Sequence, residues 1–334
     1  MFTRPDDLGD DDIAAAVRDG WGLRVQAVVY AALGFGSHHW HAHDDERRWF
    51  VTVDDLEAKR RDATETRYDA ARRLAAALTA ARSLRDAGST FVVAPAPTTA
   101  GPLLQPIGER YVAALYEYVE GETHGWGPYP TRAERFAVVD RVVELHRCGA
   151  AAGATALIDD FAIPRRDELA ATLDDLAGPW GPGPYAEPAR SLLARHARAV
   201  EHAVARYDEL VGVVARRPDR FVLTHGEPHQ GNTIVTAQGV MLIDWDTALR
   251  APPERDLWTL IDEDESVADY YELHTGVSLD RDALAVYRLW WDLCEVSLYT
   301  AECRRAHDDT ADTQTAWRGL ETYLDPTGWI DGVE

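Results

Sequence analysis

The chain has 334 residues with a hydrophobic share of 46%, enough for one large domain or two lobes, and that composition excludes a disordered chain. Its 57 acidic and 34 basic side chains give a net charge of −23, which makes nucleic acid a poor partner, whereas an acidic cleft would concentrate cationic small molecules. No apolar run approaches the ~18 residues that span a bilayer, the first residues are acidic, and Cys148, Cys294 and Cys303 show no paired spacing, so a cytoplasmic protein without membrane contact is expected.

In chain order, residues 8–20 read as an amphipathic helix with Leu8, Ile13 and Val17 on its apolar side. A Val- and Tyr-rich run over 23–33, a glycine turn at Gly34-Phe35-Gly36, a strand over 38–43 and another over 49–53 predict an antiparallel meander. A long Ala- and Arg-rich helix over 64–87 ends near Gly88, and strands are expected at 92–96, 103–107 and 111–119. After Gly121 the pattern turns helical: 132–150, 188–215, 255–272, 281–306 and 311–323 carry apolar residues at helical spacing. The fold class expected is α+β, a small antiparallel-sheet lobe over residues 1–120 followed by a larger, mainly helical lobe over 121–334.

The chemistry concentrates in Leu223-Thr224-His225-Gly226-Glu227-Pro228-His229-Gln230-Gly231-Asn232 and in Leu242-Ile243-Asp244-Trp245-Asp246. Phosphoryl transfer requires a group that orients or deprotonates the attacking hydroxyl, together with hard oxygen ligands for a metal on the nucleotide phosphates. A loop carboxylate, an Asn five residues later and an Asp beyond a short hairpin supply them in that order.

These two segments resemble the catalytic loop H-G-D-x-x-x-x-N and the metal motif I-D-W/F-D/E of the aminoglycoside phosphotransferase and choline-kinase family, relatives of the protein kinases. The resemblance is strongest over 221–260 and looks most like the spectinomycin phosphotransferase-like proteins of actinobacteria. It implies a protein-kinase-like two-lobed fold, nucleotide binding in the first lobe, and an acceptor site in the second. It further implies ATP or GTP with Mg2+, metal ligation by Asn232 and Asp244 with support from Asp246, a bracing role for His225 and an anchoring role for Asp256.

Two positions depart from the family pattern. Glu227 stands where the family has its catalytic Asp, so the carboxylate reaches one methylene further. Thr52 stands where the family has its phosphate-binding lysine, and the helix position expected to carry that lysine's Glu partner falls near Ala77. A hydroxyl does not replace an ammonium at phosphate. Lys59, the only lysine of the chain, Arg72 and Arg73 are the substitutes on offer, and spacing selects none of them. Gly34, Gly36 and Ser37 form a short glycine loop that serves either as a phosphate contact or as a plain hairpin turn. His39, His41 and His43 share one face of a strand, open to three readings: a solvated edge, a metal site or substitute phosphate charge.

The acidic run Asp262-Glu263-Asp264-Glu265 and Glu272 follow the metal motif, where the family's acceptor pocket lies. With Trp290 they read either as a trap for a cationic acceptor or as a solvated helix face. The function expected is transfer of a terminal phosphate to a hydroxyl of a small, cationic natural product. The alternative is a kinase-like protein that binds such a ligand without transfer or performs a different transfer.

Overall fold

The computed structural model describes residues 1–148 and 153–324. Helix α1 (Asp10–Trp21) opens on three aspartates, which suit the positive end of the helix dipole, and stops at Gly22, whose φ of 68° is left-handed. Beside it lie β1 (Ala27–Ala31), β2 (His38–His43) and β3 (Arg48–Asp55). After α2 (Arg67–Asp86), which is capped by Thr66 and Asp69, come β4 (Gln105–Ile107) and β5 (Tyr111–Glu117). The five strands form one antiparallel sheet in the order β1-β2-β3-β5-β4.

The two-residue period of β3 divides its side chains between two faces. Trp49, Val51 and Val53 are buried in the core with Trp40, Leu115 and Ile13, which leaves Phe50, Thr52 and Asp54 on the opposite face. The segment expected as a strand at 92–96 makes only one bridge, Val92 to Leu242. Its residues are tied instead to the chain that leads into Asp244, through Val93 N–H to Leu242 O at 3.1 Å.

The remainder is mainly helical. Strand β6 (Glu122–Thr123) is followed by α3 (Arg132–Arg147), α4 (Arg166–Asp174) and α5 (Ala186–Val214). Helix α4 was not anticipated. Then come β7 (Val222–Thr224), β8 (Thr233–Thr236), β9 (Gly239–Leu242) and β10 (Leu249–Ala251). The expected helix over 255–272 is two helices, α6 (Glu254–Glu263) and α7 (Ser266–Thr275), because Asp264 leaves helical geometry and its carboxylate accepts the N–H of Ser266. Helices α8 (Arg281–Arg304) and α9 (Ala311–Tyr323) complete the described chain. One core, built from Leu193, Tyr207, Tyr287 and Leu293, joins α5 to α8, and a second, around Val139, Leu242, Trp245 and Leu257, lies beneath the β7–β10 region. No helix is long and apolar enough to cross a membrane among the described residues.

Candidate active site

Strand β7 delivers residues 225–232 as a loop, and the β8–β9 hairpin delivers Asp244 opposite it; β10 pairs back onto β7 and closes the unit. Asp256, in the first turn of α6, fixes the loop from beneath. Its carboxylate accepts the N–H of His225 at 2.8 Å and of Gly226 at 2.5 Å, and meets His146 Nε2 at 3.1 Å. Gly226 has φ +106°, and a Cβ there would lie 2.5 Å from the Arg255 guanidinium, so only glycine fits.

His225 is fully buried with its ring against Trp245. Nε2 donates to the Ile243 carbonyl at 2.8 Å, and Nδ1 accepts the Glu227 N–H at 3.3 Å, which specifies the neutral Nε2–H tautomer. Burial also holds this imidazole below its usual pKa. His225 thus joins the metal-motif strand to the backbone of Glu227. Asn232 Nδ2 donates to the Glu227 carbonyl at 3.0 Å and lies 3.2 Å from His229 Nε2. No donor among the described residues reaches Asn232 Oδ1, so that oxygen is available to a cation.

Asp244 adopts left-handed φ 64°. Burial, with the carboxylates of Asp246 and Glu227 close by, pushes its pKa well above the usual carboxylate range. Asp246 is held below that range: burial opposes ionisation, and the Lys59 ammonium outweighs it. Asp54 and Asp246 thus both contact one lysine, with the Asp244 carboxyl close by. The donor set of an amide oxygen and carboxylates suits a hard divalent cation such as Mg2+. Among the described residues no three His, Cys, Asp or Glu side chains converge as a closed metal cage, so an ion here would draw further ligands from phosphate and water.

The structure selects among the three cations that spacing left open. Lys59, on the loop after β3, places Nζ 2.7 Å from Asp246 Oδ2 and 3.1 Å from Asp54 Oδ1. Arg73 donates to the Lys59 carbonyl at 2.7 Å, and Arg72 reaches only Asp69 on the exposed side of α2. Thr52 lies beside the Tyr116 phenol. Gly34 and Gly36 both have positive φ, and the loop they form is pinned by the Ser37 hydroxyl, which donates to Asp54 at 2.7 Å. At the loop's tip Phe35 meets the ring of Tyr299 on α8.

The histidine strand is corrected on two counts. Strand β2 pairs with both β1 and β3, so it is not an edge. His39 stacks on Phe50, and burial lowers its pKa to about 3, so its neutral ring supplies no phosphate charge.

The acidic run after the metal motif does not converge. Asp262 pairs with Arg288. Glu263 binds Arg135 at 2.7 Å and caps the Tyr129 N–H at 3.0 Å. Glu265 is exposed at the start of α7, and Glu272 accepts from Ser278. Trp290 turns into the core and donates to the Ala162 carbonyl at 3.0 Å. In their place stand two residues that were not anticipated. Asp292 and Glu295, half-buried on α8, have no cationic partner within ion-pair distance among the described residues. Burial and neighbouring carboxylates push Asp292 up to about 8 and Glu295 up to about 7; the Glu227 charge is one of those acting on Glu295. Trp126 and Trp291 stack at 5.1 Å nearby, and Trp126 lies edge-on to His229, itself 3.8 Å from Glu227.

Residues 29–290 match the family described as Phosphotransferase enzyme family. Protein StrN of Streptomyces griseus is 30% identical over 260 residues, covering 73% of this chain and 75% of StrN. The structure of spectinomycin phosphotransferase APH(9)-Ia with ADP and spectinomycin superposes with a TM-score of 0.74 at 14% identity, covering 98% of each chain. Amicoumacin kinase hAmiN, in complex with AMP-PNP and Ca2+, gives 0.54 at 13% identity, covering 97% of this chain and 94% of its own. The loop at 225–232, the hairpin that ends in Asp244 and the sheet above them therefore belong to a small-molecule phosphotransferase, and the chain is a member of the Phosphotransferase enzyme family.

Proposed function

We propose that the enzyme moves the terminal phosphate of ATP or GTP, with Mg2+, to a hydroxyl of a small cationic acceptor of the aminoglycoside or aminocyclitol kind. In this reading residues 1–120 form the nucleotide lobe and 121–334 carry the catalytic loop and the acceptor site. One observation carries it: the loop that holds Glu227 and Asn232 is tied to the segment of Asp244 by the His225 Nε2–H to Ile243 carbonyl bond at 2.8 Å, while His229 of the same loop, 3.8 Å from Glu227, meets the rings of Trp126 and Trp291. The overall likeness to a spectinomycin phosphotransferase supports an acceptor of that class.

Glu227 accepts the proton of the acceptor hydroxyl as its oxygen attacks the terminal phosphorus, whose bond to the bridging oxygen breaks and releases the nucleoside diphosphate. His225 and Asn232 hold the backbone of Glu227 from both sides, so the carboxylate meets the hydroxyl without rearrangement. Asn232 and Asp244 would hold the metal, and Asp246 supports them from the second turn of the motif. When bound, the metal supplies positive charge against the phosphate oxygens. Asp292 and Glu295 would receive the acceptor's ammonium groups, and each ionises fully once a cation is beside it. Trp126, exposed and stacked on Trp291, offers that cation an aromatic face.

The test is incubation with ATP or GTP and Mg2+ in the presence of amine-bearing aminocyclitols, with products read by mass spectrometry. A phosphorylated acceptor is the expected outcome. Nucleotide binding with no product from any acceptor would shift the assignment to a ligand-binding protein, and a differently modified product would indicate another transfer.

A further inference from the structure

We infer that Lys59 and Asp54 are a relocated phosphate-binding ion pair, with Lys59 holding nucleotide phosphate in place of a lysine at Thr52. The inference rests on the kinase reading above and assigns to it a residue that the family pattern does not supply.

Four observations place it. First, the cleft holds the carboxylates of Asp54, Glu227, Asp244 and Asp246, and a polyphosphate entering among them needs a fixed positive charge. Lys59 is the cation at that point, with its side chain 21% exposed, so the residue is screened from bulk water but not sealed from it.

Second, the partner moved with the lysine. Asp54 lies two residues beyond Thr52 on the same face of β3, is 3% exposed, and touches the Lys59 ammonium at 3.1 Å. The helix position near Ala77 is buried among apolar side chains and carries no charge. The pair thus stands on β3 and the loop that follows it, and not on position 52 and the helix.

Third, the loop that carries Lys59 is fixed and not a free surface turn. The Lys59 N–H donates to the Asp55 carbonyl at 2.9 Å, and Arg73 holds the Lys59 carbonyl while pairing with Glu65. Ser37 binds Asp54 as well, so the glycine loop and the lysine share one carboxylate. A phosphate group beneath that loop would be held by both.

Fourth, the chain has 34 basic side chains and only one of them is lysine. A sequence that places arginine at every other basic position keeps the compact, rotatable ammonium here. That is the cation suited to contact phosphate and two carboxylates in turn, whereas a planar guanidinium fixes a bidentate geometry. Without nucleotide the ammonium rests on Asp246; with it, Lys59 turns to phosphate and leaves Asp246 free beside the metal ligands.

The test is calorimetric binding of ADP and of a non-hydrolysable triphosphate, with Mg2+, to the full chain and to Lys59→Ala, Lys59→Arg and the double variant Thr52→Lys/Lys59→Ala, with melting temperature measured for each. Loss of one charge-assisted phosphate contact predicts affinity reduced about tenfold to a hundredfold in Lys59→Ala. The loss should persist in Lys59→Arg and recover in part when lysine is returned to position 52. Lys59→Ala that binds nucleotide as tightly as the parent would overturn the inference and leave Lys59 as a strut between Asp54 and Asp246. If Lys59→Ala does not fold, Lys59→Arg together with the double variant decides: unchanged affinity in both refutes a phosphate role. A parent chain that binds no nucleotide would sink the kinase reading and this inference with it, whereas parent binding with an indifferent Lys59→Ala sinks this one alone.

Discussion

The backbone N–H of His225 donates to the carboxylate of Asp256 at 2.8 Å, between two residues with essentially no solvent exposure. The same carboxylate takes the Gly226 N–H and the His146 ring, so one side chain satisfies three donors in the interior. Asp256→Ala should therefore cost about 3 kcal/mol, because those donors lose their acceptor where water cannot replace it. Denaturant melts check this, and a cost under about 1 kcal/mol would mean that water enters the space. Asp256→Asn, which keeps the shape but removes the charge, should fall between the two proteins.

Glu227→Gln retains the backbone contacts of Glu227 and removes its basicity. Turnover of a phosphorylated acceptor should fall about a hundredfold or more, with nucleotide affinity within about twofold of the parent. Glu227→Asp, the shorter residue typical of the family, should also slow turnover, since its carboxylate stops one methylene short of the point Glu227 reaches. Rapid-quench kinetics on both variants distinguish a lost base from a lost binding contact.

The pH dependence of Asp292 has a definite sign. Its folded pKa of about 8 lies above the ordinary value of 3.8, so the folded protein retains a proton that the unfolded chain releases first. Stability from this group is complete below about pH 4, declines as pH rises, and is fully lost above about pH 8. The melting temperature should fall across that interval, and Asp292→Asn should flatten the slope. A cationic acceptor should reverse it, binding more tightly at pH 8 than at pH 6. An identical slope in parent and variant would remove Asp292 as its source.

Trp126 and Trp291 stack nearly parallel, with Trp126 60% exposed. Trp126→Ala should raise the acceptor KM about threefold to thirtyfold, the range of a cation over an aromatic face, and leave nucleotide binding unchanged. Steady-state kinetics with the acceptor varied, paired with nucleotide titrations, separate the two effects.

The fold was legible wherever the hydrophobic period ran unbroken. The alternation of 38–43 and 49–53 marked β2 and β3, and the spacing along 281–306 marked α8. Segments held by single contacts were not legible. Residues 92–96 have strand composition yet form only one bridge, and the break at Asp264 depends on a side-chain bond that leaves no mark on the period. In the site, the two motifs are legible as segments, and the structure joins the loop of Glu227 and Asn232 to the segment of Asp244 through His225. Lys59 could not be chosen, since its position follows from an irregular loop held by Arg73 from α2. Asp262 and Glu263 looked like ligand contacts because a sequence does not reveal that Arg288 and Arg135 already pair with them. Asp292 and Glu295 were overlooked for the converse reason: two acids three positions apart on a helix look like a solvent face, and a sequence does not reveal that both are half-buried with no cation at ion-pair distance among the described residues.

A single lysine also changes how the protein behaves at the bench. Amine-directed reagents, whether for biotin attachment, surface coupling or cross-linking, have one lysine side chain to find, and it sits between Asp54 and Asp246. Those carboxylates hold the Lys59 ammonium protonated and slow to react, whereas burial lowers the Met1 amine to about 6, so a reagent used near neutral pH is steered away from the cleft lysine, and the exposed Cys148 thiol offers a second tether.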